Sequence, residues 1–226
     1  MVAAMSRDRV LKSLVNKIES IQLAHPIRVA IDGIDASGKT TLADELAVLL
    51  KAAGREVLRA SSDSFHQPRE IRYRKGEYSP DGYYYDSFDY EAILSLLLIP
   101  LGPGGNCICR IGTYDFHNNQ STDEAFIQVS KDTILLFDGV FLLRPELYSS
   151  WDYRIFINAD FEISLIRALK RDISLFGSVE MIKQRYLQRY FPGQQIYLDK
   201  VNPGALANVI INNRQLDNPV IQTPPR

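Results

Sequence analysis

Cysteine is nearly absent: two residues, Cys107 and Cys109, occur in 226 positions. Their one-residue spacing is poor for pairing with each other, so a disulfide-built secreted fold is excluded and a reducing compartment is expected. No companion Cys/His pair follows at finger spacing to supply the four ligands of a structural zinc site, which argues against one. In an extended strand the two thiols would point to one face of a sheet. Charge of one sign is missing too, with 26 Lys+Arg against 27 Asp+Glu, which argues against a protein that coats nucleic acid or an anionic membrane. The longest apolar stretch, Ile93 to Leu101, is broken by Ser95 and Pro100 and is too short to span a bilayer. Arg7, Asp8 and Arg9 interrupt the first residues before a secretory signal core could form, so a soluble, cytoplasmic protein is expected. No internal repeat, low-complexity tract or linker divides the chain, and one domain over 1–226 is expected.

What is present is an alternation of strands and helices. Val10, Leu11, Leu14, Val15, Ile18 and Ile21 predict an amphipathic helix over 6–23, ended by His25-Pro26. A β-branched run follows at Ile27–Ile31, then a glycine-bounded turn at Gly33–Thr40, a helix over Thr41–Ala53 stopped by Gly54, and a short strand at Glu56–Ala60. Residues 63–88 break the rhythm with Pro68, Gly76, Pro80, Gly82 and the tyrosines 73, 78, 83, 84 and 85. A loop this long inside a compact domain is functional or disordered, and its aromatics favour function. A helix is expected near Tyr90–Leu98, an antiparallel pair from Cys107–Tyr114 and Ala125–Ser130, and strands at Thr133–Phe137, Tyr153–Ile157 and Ala207–Ile211. A helix from Phe161 to about Leu175 continues as arginine-rich helical sequence to about Lys200, and the tail 214–226 is expected to lack regular structure. This order predicts an α/β fold with a mainly parallel, helix-covered sheet and a small antiparallel addition.

The strongest chemical signal is Gly33-Ile34-Asp35-Ala36-Ser37-Gly38-Lys39-Thr40, which fits G-x-x-x-x-G-K-[ST] with a strand before it and a helix after. Its glycines let backbone N–H groups close around phosphate, and the helix N-terminus adds its positive end. Gly33, Asp35, Ala36, Ser37, Gly38, Lys39, Thr40 and Thr41 are therefore the ATP-binding candidates, with Lys39 reaching the β- and γ-phosphates and the Thr40 hydroxyl on Mg²⁺. Asp138 ends a buried strand and would meet the same crevice as a metal partner; Gly139 follows it, not the second acid an ATP-hydrolysing motor uses. Asp63 follows its strand in the same way and could accept a proton from an attacking hydroxyl. Between 167 and 189 six basic residues face two acidic ones; a solvated helix face and a cluster for the charge of a transferred phosphoryl group both remain open.

Together these blocks resemble the uridine kinase-like branch of P-loop kinases, related to phosphoribulokinase and pantothenate kinase. The resemblance rests on the phosphate loop, Asp63-Ser64-Phe65, Tyr114-Asp115-Phe116, Phe137-Asp138-Gly139-Val140-Phe141 and Arg171-Asp172-Ile173, over about 27–213. It implies a three-layer P-loop fold with a helical lid over about 167–200, ATP and Mg²⁺ as cofactors, a nucleoside-like small molecule as acceptor, and a substrate loop at about 63–88. In this family's pattern Asp63 is the general base, Lys39 and Arg171 complete the catalytic set, and Thr40 and Asp138 hold the metal. Phe65, His66, Arg69, Asp86, Tyr114 and His117 are the acceptor-binding candidates, Asp86 by a weak likeness of Tyr85-Asp86-Ser87-Phe88 to the block that holds ribose hydroxyls. Two motifs depart from the pattern. Asn119 stands where uridine kinases have a base-reading histidine, with His117 two places early, and the lid motif has become Arg171-Asp172-Ile173-Ser174-Leu175-Phe176-Gly177-Ser178, two arginines short. Arg167 and Arg171 remain lid candidates, and Arg185 and Arg189, with Gln195 and Tyr197 beyond Pro192, are nominated to supply the missing charge.

The reading is thus a Mg-ATP-dependent kinase of a small hydroxyl substrate, uridine or cytidine first. A kinase of pantothenate or another ribosyl compound is the alternative within the class. A GTPase switch is disfavoured, because Asn16-Lys17-Ile18-Glu19 lies before the phosphate loop and ends in the wrong acid. A nucleotide-binding regulator without transfer activity is prompted by the altered lid and opposed by Lys39, Thr40 and Asp63. No nucleic-acid or membrane partner is expected, and homo-oligomerisation stays open.

Overall fold

The computed structural model describes residues 6–116 and 118–224. A six-stranded sheet forms its middle layer. β1 (Ile27–Gly33), β2 (Val57–Ser61), β3 (Ile134–Gly139), β4 (Tyr153–Asn158), β5 (Val209–Asn212) and β6 (Val220–Gln222) lie in the order β6-β5-β4-β1-β3-β2. All neighbouring pairs run parallel except β5 with β6. The strands alternate between two cores, as the two-residue period of a strand requires. Ile27, Val29 and Ile31 with Ile134 and Leu136 face one layer, and Ala30 with Leu135 and Phe137 face the other. Arg28, a charged residue inside buried β1, is neutralised by Asp152, whose Oδ2 accepts from Arg28 Nε at 3.0 Å.

On the first face α1 (Arg7–Glu19) and α2 (Lys39–Ala52) cover the sheet with Leu14, Ile18, Leu46 and Leu50, all essentially fully buried. The other face is covered by α3 (Pro80–Asp86), the 90–101 segment and α6 (Phe191–Val201) through Tyr84, Phe88, Leu97, Phe141 and Tyr197. Between β4 and α6 the chain forms α4 (Phe161–Arg171) and α5 (Val179–Arg185), which enclose Ala168, Ile182 and Tyr186 against Ala36 of the phosphate loop. The result is a three-layer α/β/α P-loop fold with a mainly parallel sheet. Among the described residues no helix is long and apolar enough to cross a membrane.

Several expectations need correction. The first helix stops at Glu19 rather than 23: the Ser20 hydroxyl donates to Lys17 O at 2.7 Å, so the Ile21 N–H turns to Ile18 O instead of continuing the ladder. The stretch 63–88 is not structureless, because Ser62–Phe65 makes a tight turn, Arg69–Arg72 one helical turn, and Ser79-Pro80 starts α3 with the Ser79 hydroxyl accepting from Gly82 N. The antiparallel addition is two separate pairs, Ile108–Cys109 with Ile127–Gln128 and Tyr114–Asp115 with Gln120–Ser121. Cys107 has a φ of 59°, so it does not continue an extended strand with Cys109, though both thiols are free and buried in the same core. Asp172 interrupts the helix expected to reach Leu175. The tail is not without structure, since Val220–Gln222 pairs with β5 as the edge strand directly after Pro219, where a missing N–H costs the ladder nothing.

Asp32, one residue before the end of β1, is fully buried under the phosphate loop. Its Oδ2 accepts from Tyr197 Oη at 2.5 Å and its Oδ1 from Leu142 N at 3.3 Å. Burial outweighs these bonds and the nearby Lys39 charge, and pushes the carboxyl from 3.8 up to about 6. Between those values the native state holds more protons than the unfolded chain, so this contribution to stability is complete below about pH 4 and is lost as pH rises through about 6. Asp32→Asn cannot ionise. Urea denaturation should therefore show wild type losing about 1–3 kcal/mol relative to Asp32→Asn between about pH 4 and pH 7. A difference independent of pH would contradict the buried-carboxyl account.

Candidate active site

Strand register assembles the site. Asp138 pairs with Ile31 on one side and Ser61 on the other, so the ends of β1, β2 and β3 emerge together. β1 leads into the phosphate loop, β2 into Asp63, and β3 carries Asp138 itself. In the loop, Gly38 has a φ of +100°, and a Cβ there would stand 2.6 Å from Asn213 Nδ2. That closeness is structural, because Asn213 Nδ2 donates to Ser37 O at 2.7 Å and braces the loop from the end of β5. Lys39 Nζ donates to Ile34 O at 2.8 Å, across the loop it belongs to. Gly33 begins the loop and Ala36 adopts a φ of 55°; Ser37 is buried, whereas Thr40 and Thr41 are exposed at the start of α2.

Thr40 Oγ1 donates to Asp138 Oδ2 at 2.7 Å. The other oxygen of Asp138 accepts from Arg59 Nη2 at 2.8 Å, and Arg59 also reaches Leu136 O and Asp44. Arg59 was not among the sequence candidates; an arginine inside a short strand next to β3 is the signal that could have found it. A cavity of about 650 Å³ opens beside these groups, lined among others by Lys39, Thr40, Asp63, Tyr114, Asp138 and Arg171. Among the described residues no three His, Cys, Asp or Glu side chains gather to hold a metal ion on their own. Thr40 and Asp138 do fit an ion that keeps waters and brings phosphate ligands with it, as Mg²⁺ does.

A smaller, aromatic-walled cavity of about 110 Å³ adjoins the first and shares Asp35, Asp63, Phe116, Arg171, Asp172 and Leu175 with it. His66 lies between Phe88 and Phe116, each ring centroid 4.6 Å from its own. Its Nδ1 donates to Asp63 O at 2.9 Å, and burial holds the imidazole down to about 4, leaving it neutral at physiological pH. Arg72, buried here and absent from the sequence candidates, donates from Nη2 to Asn119 Oδ1 at 2.9 Å, while its Nε finds no acceptor among the described residues. Tyr114 Oη donates to the same Asn119 oxygen at 2.5 Å. His117 lies outside the described residues.

Other candidates are placed elsewhere. Phe65 is fully buried in the core against Phe137, with ring centroids 6.2 Å apart, because the turn after β2 points it into the sheet layer. Arg69 is exposed over Tyr73 and lines neither cavity. Asp86 also lines neither: its buried carboxylate pairs with Arg74 and, at 3.3 Å, with Lys75, and these cations outweigh burial to hold it below its usual range. Arg167 donates under the loop to Ser37 O at 3.3 Å and Asn213 O at 2.7 Å. Arg171 borders both cavities, braced by Asp172 at 2.6 Å.

Arg185 and Arg189, nominated for the lid's missing charge, are both engaged with the 72–79 segment, and Arg189 also lines the aromatic cavity. Arg185 pairs with Glu77 at 2.6 Å. Arg189, 2% exposed, donates to the carbonyls of Arg72, Gly76, Glu77 and Ser79. A guanidinium buried this deeply needs acceptors, and the irregular 72–79 backbone supplies them. Tyr197 bonds Asp32, and Gln195 bonds Asp199 on its own helix.

A model of the phosphoribulokinase/uridine kinase family matches residues 28–212. The uridine kinase of Lactobacillus helveticus (strain DPC 4571) is 29% identical over 175 residues, 74% of this chain and 77% of that protein. Uridine-cytidine kinase B of Dictyostelium discoideum is 27% identical over 197 residues, 82% of this chain and 78% of that protein. The solved structure of a possible uridine kinase from Bacillus stearothermophilus has a TM-score of 0.71 at 25% identity, covering 90% of this chain and 97% of that one.

Arg189→Met keeps the length of the side chain and removes its donors. Amide exchange across 72–79 should then accelerate by about tenfold or more, with about 1–3 kcal/mol lost from global stability. Unchanged exchange in that segment would show that Arg189 does not hold it.

Proposed function

The chain belongs to the phosphoribulokinase/uridine kinase family, and on that premise we propose that it transfers the γ-phosphoryl group of ATP to a hydroxyl of a small acceptor, the 5′-hydroxyl of a pyrimidine nucleoside. One observation carries the reading: Asp63 borders both the cavity beside the phosphate loop and the aromatic cavity next to it. A carboxylate at that junction can orient an acceptor hydroxyl and take its proton as the oxygen attacks. The planar surfaces of His66, Phe88 and Phe116 suit a base, and neutral His66 adds no charge against it.

In this reading the triphosphate lies along Gly33–Thr41, and Lys39 exchanges its bond to Ile34 O for phosphate oxygens. Thr40 and Asp138 would hold Mg²⁺, which supplies charge neutralisation on the phosphates. Arg59 fixes the Asp138 carboxylate, and Arg171, between the cavities, faces the charge that develops on the transferred group. Positioning and electrostatics therefore account for most of the rate, and exclusion of water from the joined cavities protects ATP from hydrolysis.

The test is ADP release over a panel of nucleosides and pantothenate, for wild type and Asp63→Asn. Uridine or cytidine should be the best acceptor. Asp63→Asn should bind ATP within about threefold of wild type and transfer phosphate at least about a hundredfold more slowly, the range of general-base catalysis. Transfer retained by the variant would remove Asp63 from its role. Tight ATP binding with no acceptor turned over would favour a nucleotide-binding regulator instead.

A further inference from the structure

Asp35 sits in the phosphate loop, yet a carboxylate is the wrong sign for a group facing phosphate. Its side chain borders both cavities, beside Asp63. Four contacts immobilise the residue. Asp35 N donates to Gln194 Oε1 at 3.1 Å, and Asp35 O accepts from the Ser164 hydroxyl. On the carboxylate, Tyr83 Oη at 2.8 Å and Gln194 Nε2 at 2.5 Å both donate to the same oxygen, Oδ2. Among the described residues no group donates to Oδ1. A carboxylate can accept about four hydrogen bonds, so half of the capacity of Asp35 is held by the protein and half is left over, on a residue that lines both cavities.

Burial works against the ionised form, since it pushes this carboxyl above the usual range with Lys39 opposing it. Serving as a brace for the loop would not require that cost, because the Asp35 backbone contacts to Gln194 and Ser164 already brace it. Meanwhile Asp86, the carboxylate nominated by resemblance for acceptor hydroxyls, is tied to Arg74 and Lys75 and lines neither cavity. Asp35 is the acid with an open oxygen next to Asp63.

We propose that Asp35 Oδ1 accepts a hydrogen bond from a second hydroxyl of the acceptor, beside the hydroxyl that Asp63 deprotonates, so that the site selects diols and polyols over acceptors with one hydroxyl. The proposal rests on the kinase reading above and assigns a phosphate-loop residue to the acceptor instead of the nucleotide.

The experiment pairs wild type and Asp35→Asn with uridine, 2′-deoxyuridine and 3′-deoxyuridine. Wild type should lose about 10- to 150-fold in kcat/KM on the analogue that lacks the held hydroxyl, the range for a hydrogen bond to a charged group, and mostly through KM. Asp35→Asn should lose a similar factor on uridine and cease to distinguish uridine from that analogue, while its affinity for ATP stays within about threefold. Additive losses, or ATP affinity that falls in step with uridine KM, would overturn the assignment. Asp35→Ser is the second variant should Asp35→Asn fail to fold. If wild type ignores uridine, the nucleoside reading fails by itself, and the same cycle with the best acceptor of the panel and its deoxy counterpart decides Asp35. Wild-type protein that turns over no hydroxyl acceptor would overturn both.

Discussion

The hydrogen bond from Thr40 to Asp138, 2.7 Å long, is the contact on which the rest of the site depends. It joins the first turn of α2 to the end of β3 and exists only in one strand register. Leu136 and Asp138 face the layer of α2, while Phe137 faces the opposite core. A shift of β3 by one residue would present Phe137 or Gly139 to Thr40 and bury the carboxylate on the wrong side. The same register brings Ser61 beside Asp138, and Asp63 follows two residues later. The proposed metal ligand, the phosphate loop and the proposed base are thus consequences of one alignment of three parallel strands, at the edge where such sheets bind ligands.

The arginines show how tertiary context divides a run of like charges. Between 167 and 189, Arg167 supports the phosphate loop from below, Arg171 borders the cavities, and Arg185 and Arg189 fasten the segment 72–79. A solvated face and a phosphate-facing cluster are therefore both incomplete descriptions. The fastening explains why an irregular, tyrosine-rich stretch is ordered at all: its carbonyls satisfy a buried guanidinium, and Arg189 stacks within 4.7 Å of the Tyr73 ring centroid. That order in turn shapes the aromatic cavity, since Arg72, Tyr73 and Tyr83 all line it.

Family membership and local geometry answer different questions about the acceptor. The family points to a kinase, and in the proposed reading the walls of the cavity supply the selectivity. At those walls this chain has its own solutions. Asn119 gathers Arg72 and Tyr114 where uridine kinases carry a histidine, and Asp35 offers an open carboxylate oxygen while Asp86 is paired elsewhere.

Local rules made much of this legible. Hydrophobic period, glycines and the phosphate-loop spacing carried the strand–loop–helix order, a mainly parallel, helix-covered sheet, and the placing of Lys39, Thr40 and Asp138 at one sheet edge; the three layers and the role of Asp63 came with the family resemblance. Such features depend on near neighbours in the chain and on the handedness of parallel connections, which every sequence of this pattern shares. Side-chain destinations across long separations were not legible. Nothing local indicates that Gln194 would hold Asp35, that Asn213 would brace Ser37, or that Arg59 would pair with Asp138. Phe65 and Asp86 had the right residue types in familiar blocks, yet one turned into the core and the other found nearer cations. From the sequence came the alternation of strands and helices and a loop for phosphate, because these follow from periodicity and a contiguous motif; the kinase chemistry came with the family resemblance of the separate blocks. Which acids and arginines line the two cavities and which are paired elsewhere was settled by tertiary packing, because a buried charge goes to whichever partner the packing brings within reach.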